Sequence, residues 1–427
     1  MTYAETIQFL YGLRWFGAKF GLENTLKLAA LAGNPQSRLR FIHVAGTNGK
    51  GSTCAMLESI YRTAGLRVGL FTSPHLVSFR ERIQVNRELI GESDVVQRVA
   101  ELQPWLKEFA ADHHPTFFEA VTVMALGHFA ARRCDLVIWE TGLGGRLDAT
   151  NIVTPLASVI TNVQYDHQKW LGATLASIAT EKAGIIKPGV PVITGAEEPQ
   201  ALAVIQETAI QRGSPLTLVA PAHTQHPPLD ALPLPLPGWH QRMNAAVALA
   251  TVQVLQPRLP VSEGQQRAGL TGVNWPGRLQ LAELPGGRQV LLDGAHNPAG
   301  ATSLRAALEE HFPNRRATFI LGIMQDKDWE VMCELLAPLA GRIVCVPVGS
   351  ERSADPALLC AACRRTNPEV NTGTCASLAE AFLQTGTDPF VVVAGSLHLI
   401  GEAMEQLHLA ANSITDEKGL NDWTPRR

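Results

Sequence analysis

The sequence predicts an α/β protein built from two domains. Short apolar runs alternate with amphipathic stretches almost from end to end, which is typical of mostly parallel sheets covered by helices. The chain of 427 residues is longer than most single domains, and turn residues cluster at 272–277 between two such series. We therefore expect one α/β domain over residues 1–274 and a second over residues 275–427.

The first series is predicted from apolar runs such as FIHVA and DLVIW, each followed by a loop and a helical pattern. The expected strands lie at 41–45, 67–71, 135–139 and 156–160. The expected helices lie at 52–63, 92–111, 116–133, 174–183 and 199–211. A proline-rich stretch at 221–238 excludes regular helix or central strand, and helical patterns resume at 241–255 and 262–270.

The second series begins near residue 275 and repeats the same alternation. Its expected strands lie at 279–283, 289–292, 317–321, 342–347 and 389–393. The polar tail after about Ala411 is expected to fray. Because ligand sites of parallel sheets lie at the carboxyl ends of the strands, the loops that follow these strands are the places to look for chemistry.

Composition excludes several classes of protein. Hydrophobic residues make up 46% of the chain and charged residues 18%, so the chain can bury large cores and is not intrinsically disordered. A formal charge of −3 argues against a nucleic-acid or membrane-surface binder. The sequence lacks a signal peptide and any apolar run of the roughly 18–20 residues that spans a bilayer, so a cytoplasmic location is expected. Seven scattered cysteines indicate reduced thiols, and the Cys360/Cys363 pair is best explained as a helix face.

The segment 45–53, AGTNGKGST, follows the first expected strand and opens a helix. Its glycines let backbone N–H groups converge on phosphate oxygens, and the helix N-terminus adds partial positive charge. Lys50 would reach the β- and γ-phosphates, and the Ser52 hydroxyl would bind Mg²⁺. A generic glycine turn is the alternative. The order of strand, glycines, lysine, hydroxyl and helix favours a nucleotide site formed by Thr47, Asn48, Gly49, Lys50, Gly51 and Ser52.

With this loop, the first domain is expected to hold a parallel sheet of the P-loop ATPase type and the second to be Rossmann-like. Glu140 ends the strand at 135–139, where a carboxylate can bind Mg²⁺ beside the phosphate loop. Ser73 lies in a Ser-Pro turn, and His167 follows the strand at 156–160, although a single histidine is more often structural. Lys182, in a last helical turn, is by itself best explained as a partner of the helix dipole.

Further candidates come from the second half of the chain and from one helix of the first. Asn244 begins a helix after the prolines, and helix entry alone explains it equally well. Arg278 lies at the domain junction, where a guanidinium can reach phosphate, and Asp293 ends a strand, where it can accept from ribose hydroxyls. Phe117 and Phe118 open a helix, and core packing is the alternative to a wall for a planar ligand.

Together these motifs resemble those of the dihydrofolate synthase/folylpolyglutamate synthase family, within the Mur ligase superfamily. GTNGKGS, TSPHL followed by ERI, DHQKWLG, EKAG and DGAHN occur in order, so the resemblance covers nearly the whole chain. It implies ATP and two Mg²⁺ ions. Ser73 and Glu140 would bind the first ion with the nucleotide phosphates, His167 the second, and Lys182 would be carbamylated.

The resemblance also implies where ATP and the acceptor lie. Asn244, Arg278 and Asp293 would surround ATP. The acceptor, dihydropteroate or a reduced folate, would lie against three segments. They are Gly21, Leu22, Glu23 and Asn24; Thr116, Phe117, Phe118 and Glu119; and Leu147, Asp148 and Ala149.

The function these observations favour is an ATP-dependent amide ligase that adds L-glutamate through an acyl phosphate, acting as a monomer. Its catalytic residues would be Lys50, Glu140, His167 and Lys182. A phosphate-loop switch ATPase is one alternative, but it leaves the TSPHL and DGAHN loops without a role. A Mur-type ligase with a different carboxylate acceptor is another. The sequence also leaves open whether the first glutamate, later glutamates, or both are added.

Overall fold

A computed structural model describes residues 1–14, 21–410 and 417–422. The strands of the first sheet are β1 (Phe41–Ala45), β2 (Val68–Phe71), β3 (Ile83–Val85), β4 (Glu88–Leu89), β5 (Leu136–Glu140), β6 (Ala157–Ile160), β7 (Val192–Thr194) and β8 (Leu216–Leu218). Those of the second sheet are β9 (Gln280–Glu283), β10 (Gln289–Asp293), β11 (Ala317–Leu321), β12 (Ala340–Cys345), β13 (Asn371–Thr374) and β14 (Phe390–Ala394). The expected two-sheet α/β fold is thereby confirmed.

Helices cover both sheets. Those that accompany the first sheet are α1 (Tyr3–Leu13), α2 (Glu23–Leu31), α3 (Lys50–Thr63), α4 (Glu92–Leu106), α5 (Phe117–Ala131), α6 (Gln168–Leu171), α7 (Leu175–Ala183), α8 (Pro199–Gln211), α9 (Trp239–Leu255) and α10 (Glu263–Thr271). Those that accompany the second are α11 (Pro298–His311), α12 (Trp329–Leu336), α13 (Pro356–Thr366), α14 (Leu378–Gln384) and α15 (Leu397–Gln406).

The first sheet has the order β4-β3-β2-β5-β1-β6-β7-β8. Its central strands are parallel, with β1 between β5 and β6, and Val44 lies opposite Glu140. Neighbouring residues of β1 face opposite sides: Ile42 and Val44 enter the core formed with α3, α9 and α10, whereas Phe41 enters the core formed with α4 and α5. A strand buried on both faces explains the uninterrupted apolar run FIHVA.

Both sheets end in an antiparallel edge, in addition to the parallel strands that the sequence pattern indicated. In the first sheet β3 pairs antiparallel with β2 and with β4, and in the second β9 pairs antiparallel with β10. The remaining pairs of the second sheet, ordered β13-β12-β11-β14-β10-β9, are parallel. The carboxyl ends of β1, β5 and β6 therefore share one edge, as do those of β10, β11 and β14.

Most expected elements occur within a few residues of their expected bounds. Strands β3, β4, β7, β8 and β13 were missed because they are two to four residues long, and β13, NTGT, is polar and mostly exposed. The helix expected to run to residue 111 ends at Leu106. The proline-rich stretch contains the short 3₁₀ turns Pro221–Gln225 and Leu229–Ala231, in agreement with the exclusion of regular helix or central strand.

The cysteines are buried free thiols. Cys360 and Cys363 pack with Cys333 and Cys345 in the apolar core between α12, α13 and β12, and each of these four is at most 1% exposed. Their position fits small hydrophobic side chains of a helix face.

The expectation of a frayed tail is wrong for residues 417–422. Lys418–Asn421 form a 3₁₀ turn, and Leu420 is 2% exposed within the core of the first domain. Burial of this leucine holds the segment against the molecule. Residues 411–416 and 423–427 lie outside the described residues, so the expectation stays a prediction there.

The close packing of α10 on α3 yields a matched pair of glycine variants. A Cβ at Gly269 would lie 2.5 Å from the backbone Cα of Ile60, whereas a Cβ at Gly264, in the same helix, meets nothing within 4 Å. We expect Gly269→Ala to lower the free energy of unfolding by about 1–3 kcal/mol, because the helices must move apart. Gly264→Ala should raise it by up to about 1 kcal/mol, because alanine favours helix. Urea unfolding measures both, and equal effects would contradict this packing.

Candidate active site

One large cavity lies where the carboxyl ends of the two sheets face each other. Its volume is about 970 Å³, and the phosphate loop, Glu140, Phe117, Arg278 and Asp293 all line it. The structure thus brings together residues that are far apart in the sequence. The position agrees with the general location of ligand sites in parallel sheets.

The phosphate loop joins β1 to α3 through glycines against which other side chains pack closely. Gly49 has φ 82° and directly precedes α3, and a Cβ on it would collide with the side-chain amide of Asn244 from α9. At Gly51 a Cβ would lie 3.0 Å from the Trp275 ring. Close approach of α9 and Trp275 therefore fixes the loop. The first residues of α3 line the cavity, and the N–H groups at a helix N-terminus are available to donate to a phosphate.

Two lysines converge on this loop. Lys50 Nζ donates to the carbonyl oxygens of Gly46 and Thr47, at 3.0 and 3.1 Å. Lys182 Nζ donates to the same Gly46 oxygen at 2.8 Å. Burial, followed by the nearby charge of Lys50, lowers the pKa of Lys182 to about 7. Lys182 is therefore more than a partner of the helix dipole, since its amine titrates near neutral pH inside the site.

Glu140 ends β5 beside the loop and is 3% exposed. Its Oε2 accepts the backbone N–H of Ser73 at 3.0 Å. Burial raises the pKa of Glu140 to about 7, opposed by Lys50, the Ser73 N–H and Arg278. Ser52, in the first turn of α3, lines the same cavity. The oxygens of Ser52, Ser73 and Glu140 are thus arranged around one side of the phosphate loop.

Asp166 and His167 follow β6, line the same cavity and contact residues of the second half of the chain. Asp166 accepts from Lys327 Nζ at 2.6 Å and from Asn297 Nδ2 at 3.0 Å. Although burial opposes the charge, Lys327, His167 and His296 hold the pKa of Asp166 well below its usual range. Burial, with the charge of Lys327, lowers the pKa of His167 to about 3, so its imidazole is neutral at pH 7.

The phosphate loop itself also contacts the second sheet. The side-chain amides of Asn48 and Asn297 bond reciprocally, at 3.2 and 3.0 Å. Asn297 is the N-cap of α11, where its Oδ1 also accepts from Gly300 N. Sequence reasoning assigned no role to Asn297 or Lys327, although both follow strands of the second series, at their carboxyl ends. That position was the signal that could have found them.

Arg278 and Asp293 form the far side of the nucleotide region. Asp293 accepts the backbone N–H groups of Leu279 and Ala295, both at 2.9 Å. Arg278 is held by the Gly277 carbonyl oxygen at 3.0 Å, and burial lowers its pKa despite the charge of Asp293. Its guanidinium remains a cation at neutral pH and lines the cavity.

The expected acceptor residues divide into two groups. Gly21, Thr116, Phe117, Phe118, Glu119, Leu147, Asp148 and Ala149 line the cavity. Leu22, Glu23 and Asn24 do not line it, and Glu23 lies exposed at the start of α2.

Within the lining group, the two carboxylates already have structural partners. Glu119 accepts from Thr116 N at 2.7 Å and so closes the start of α5. Asp148 accepts from Gly142 N and Leu143 N, and also from Thr150. Their role in this fold is therefore to shape the wall.

The aromatic part of the wall includes a cation that sequence reasoning missed. The guanidinium carbon of Arg82 lies 5.5 Å from the centre of the Phe117 ring, and Arg82 is 3% exposed. Phe118 lies 6.0 Å from Phe71, ring centre to ring centre. This combination of flat apolar surface and buried charge suits a planar ligand with an acidic group.

Comparison with known proteins identifies the family. Residues 44–214 match the Mur ligase middle domain, and residues 277–397 match the Mur ligase glutamate ligase domain. The dihydrofolate synthase/folylpolyglutamate synthase of Bacillus subtilis is 34% identical, over 95% of this chain and 99% of that protein. The chain belongs to the dihydrofolate synthase/folylpolyglutamate synthase family. Its predicted family and its class of enzyme, an ATP-dependent ligase, are thus confirmed.

Solved structures of this family share the fold. The folylpolyglutamate synthase of Thermotoga maritima is 35% identical and has a TM-score of 0.83, over 97% of this chain and 98% of that chain. Escherichia coli FolC, solved in complex with DHPP and ADP, is 33% identical and has a TM-score of 0.84, over 96% of this chain and 98% of that chain. Among the helices described here, none has the length and apolar character required to cross a membrane.

The raised pKa of Glu140 predicts how stability depends on pH. The pKa of this carboxyl is 4.5 in the unfolded chain and about 7 in the folded chain. Between these two pH values the folded chain keeps a proton that the unfolded chain has released. The free energy of unfolding therefore falls as pH rises through that range. Without divalent cations, Glu140→Gln should raise the free energy of unfolding by up to about 3 kcal/mol at pH 8. At pH 4 the variant and the parent chain should differ little. A variant that is less stable at pH 8 would refute this electrostatic account.

The buried pair of Asp166 and Lys327 predicts a second effect on stability. Their side chains are 7% and 8% exposed, so Lys327→Met leaves a desolvated carboxylate without its cation and should cost about 3–5 kcal/mol of unfolding free energy. The exposed Lys169 provides a control, for which Lys169→Met should cost less than about 0.5 kcal/mol. Adding Asp166→Asn to Lys327→Met should restore part of the loss in urea unfolding. Additive losses would show that the two groups do not interact.

Proposed function

We propose that this protein joins L-glutamate to the carboxyl group of dihydropteroate, of a tetrahydrofolate, or of both, with hydrolysis of ATP to ADP and phosphate. The observation that carries the proposal is the single cavity in which a phosphate loop, a buried carboxylate and an aromatic wall with a cation meet. The names of the family members agree with it. We expect the enzyme to act as a monomer in the cytoplasm.

We place the boundary between its domains at residues 274 and 275. The strands of the first sheet end at Leu218, and those of the second begin at Gln280. Both domains contribute to the nucleotide site in this proposal. Thr47, Asn48, Gly49, Lys50, Gly51 and Ser52 would bind phosphates, and Asn244, Arg278 and Asp293 would bind the remainder of ATP.

The reaction we propose has two steps. An oxygen of the acceptor carboxylate attacks the γ-phosphorus of ATP, the bond to the β-phosphate oxygen breaks, and ADP leaves with that electron pair. The amine of L-glutamate then attacks the acyl carbon, inorganic phosphate leaves, and the nitrogen loses a proton. Lys50 and the N–H groups of α3 stabilise the charge on the transferred phosphoryl group. Closure of the cavity by both domains keeps water from the acyl phosphate.

One Mg²⁺ ion fits the donors on the Glu140 side of the loop. Ser52, Ser73 and Glu140 offer oxygen atoms, the ligands that Mg²⁺ prefers, and a buried carboxylate with a raised pKa gains from a nearby cation. Acidic, histidine and cysteine side chains of the described residues form no metal-binding group of three or more, so water and phosphate oxygens would supply the remaining ligands. When bound, the ion would neutralise charge between the β- and γ-phosphates.

A second Mg²⁺ ion at His167 does not fit the side chains in their present charge states. The neutral imidazole is a suitable ligand, but the Lys327 ammonium lies 3.4 Å from His167 Nε2, and Lys182 adds a further amine nearby. Carbamylation of Lys182 would replace a cation by an anionic oxygen donor. Its pKa of about 7 supports this, because the neutral amine is the form that attacks CO₂. We propose carbamylated Lys182 as the condition for the second ion.

Other functions explain less of the cavity. A phosphate-loop switch would use Lys50 and Ser52 but leaves the aromatic wall and Arg82 unexplained. A Mur-type ligase with another acceptor would need the wall to accept a different group. Phosphate release with ATP, L-glutamate and each acceptor in turn distinguishes them: release without an acceptor favours the switch, and release only with a nucleotide-linked peptide favours the other ligase.

Lys50→Ala tests the role of the phosphate loop. We expect the glutamate-dependent rate to fall about 100-fold or more, because the variant loses the charge that Lys50 is proposed to bring to the γ-phosphate. Product analysis by chromatography, with dihydropteroate and tetrahydrofolate tested separately, measures the rate and shows which glutamate additions occur. Lys169→Ala, an exposed lysine, should retain the parent activity. Full glutamate-dependent activity in Lys50→Ala would end the proposal.

A further inference from the structure

The carboxylate of Asp422 occupies a small site built from donors and cations. Its Oδ1 accepts from Ser350 Oγ at 2.8 Å and lies 3.3 Å from Arg352 Nη2 and 3.9 Å from His398 Nε2. Its Oδ2 lies 4.0 Å from Arg14 Nη2. The Arg14, Arg352 and His398 side chains are 8–17% exposed, so a carboxylate here is held in a partly desolvated setting.

The residues that surround the Asp422 carboxylate lie at the edge of the fold where ligand sites form. Ser350 and Arg352 follow β12, His398 lies in the first turn of α15 after β14, and Arg14 follows α1 of the first domain. The residues that follow β12 and those that follow β14 lie at the carboxyl edge of the second sheet. Arg14, Arg352, His398 and Asp422 all line the same cavity as the phosphate loop.

The segment that carries Asp422 is anchored on the acceptor side of the cavity. Leu420 is buried in the core of the first domain, and Asn421 Oδ1 accepts from Arg82 Nη2 at 2.6 Å. Asn421 Nδ2 donates to the carbonyl oxygen of His75 at 3.0 Å, and Glu417 accepts from Ser78 Oγ at 3.0 Å. The 417–422 segment therefore runs from the aromatic wall to the edge of the second sheet.

The charge of this segment matches the chemistry of the proposed substrates. L-Glutamate carries two carboxylates, and an acceptor with a glutamyl tail carries more than one. A site with three basic side chains and a hydroxyl fits such a group, and Asp422 is itself a carboxylate in that position. A substrate carboxylate and Asp422 cannot occupy the site together, because both would need the same donors.

We propose that Ser350, Arg352, His398 and Arg14 form a binding site for a glutamyl carboxylate, and that Asp422 fills this site until the substrate displaces it. The inference rests on the proposed function and adds to it a site and a competitor within the chain. The glutamyl carboxylate can come from free L-glutamate or from the tail of the acceptor. In either case, the apparent affinity for that substrate is lowered by the chain's own carboxylate.

Asp422→Asn tests the proposal, because it removes the charge and keeps the shape. We expect KM to fall by about 3- to 10-fold for whichever substrate supplies the carboxylate, while KM for ATP stays the same. A fall for L-glutamate alone identifies the amino acid, and a fall only for a tetrahydrofolate with an additional glutamyl group identifies the acceptor tail. An unchanged or raised KM for both would overturn the proposal.

Asp326→Asn is the matched control. Asp326 also lies 3.3 Å from Arg352, but its side chain is 43% exposed and does not line the cavity. This variant removes the same charge from the same guanidinium without opening the site, so KM should change less than about 2-fold. Equal effects of the two variants would show a general influence on Arg352 and overturn the competition.

Arg352→Gln provides a second line of evidence that does not depend on the fold of the 417–422 segment. Loss of the guanidinium should raise KM for the same substrate, and a double variant with Asp422→Asn should lose the gain. An unchanged KM in folded Arg352→Gln, judged by its thermal midpoint, would overturn the site. Absence of glutamate-dependent activity in the parent chain would instead refute the proposed function, so the two failures are distinct.

Discussion

The carboxylate of Asp166 joins the two halves of this protein at the phosphate loop. It comes from the first domain and accepts from Lys327 and Asn297 of the second, and Asn297 in turn bonds to Asn48 within the loop. Asp166 and Asn297 are buried, so the loss of a partner would leave a desolvated polar group. This network is one of the contacts that hold the carboxyl edges of the two sheets against each other at the cavity.

Buried charges of both signs line that cavity, and the chain as a whole is also nearly neutral. Lys50, Lys182 and Arg278 line it together with carboxylates that include Glu140, Asp166 and Asp293. Burial, followed by the charge of Lys50, lowers the pKa of Lys182, and burial raises the pKa of Glu140 against the opposing charges of Lys50 and Arg278. Such a site is poorly satisfied by itself and gains from an anionic nucleotide with its cation. On the acceptor side, Arg14 and Arg352 likewise lie beside the carboxylate of Asp422.

Two carboxylates that line the acceptor side of the cavity also hold local turns in place. Glu119 and Asp148 line the cavity, yet their oxygens are taken up by backbone N–H groups and hydroxyls that close local turns. Phe117 and Phe118 belong to α5, whose start is closed by Glu119, so helix capping places the aromatic surface. A substitution of either carboxylate would therefore disturb the shape of the wall before it disturbed any contact with a ligand.

Local sequence alone determined the α/β class, the phosphate loop and the candidate status of Glu140. Apolar runs and glycine turns are determined by residues close together in the sequence. They can therefore be recognised without knowledge of the tertiary structure. The short β3, β4, β7, β8 and β13 were not predicted, because two to four residues carry too little pattern and are stabilised by their neighbours in the sheet.

Tertiary structure decided which distant residues share the site. It placed Lys327 on Asp166, Arg82 on the aromatic wall, and Asp422 on Arg352, and it excluded Leu22, Glu23 and Asn24 from the lining. These relations depend on how two sheets meet, which no local pattern encodes. The sequence therefore determined what chemistry the loops contain, and the packing of the two sheets determined which charges act on one another.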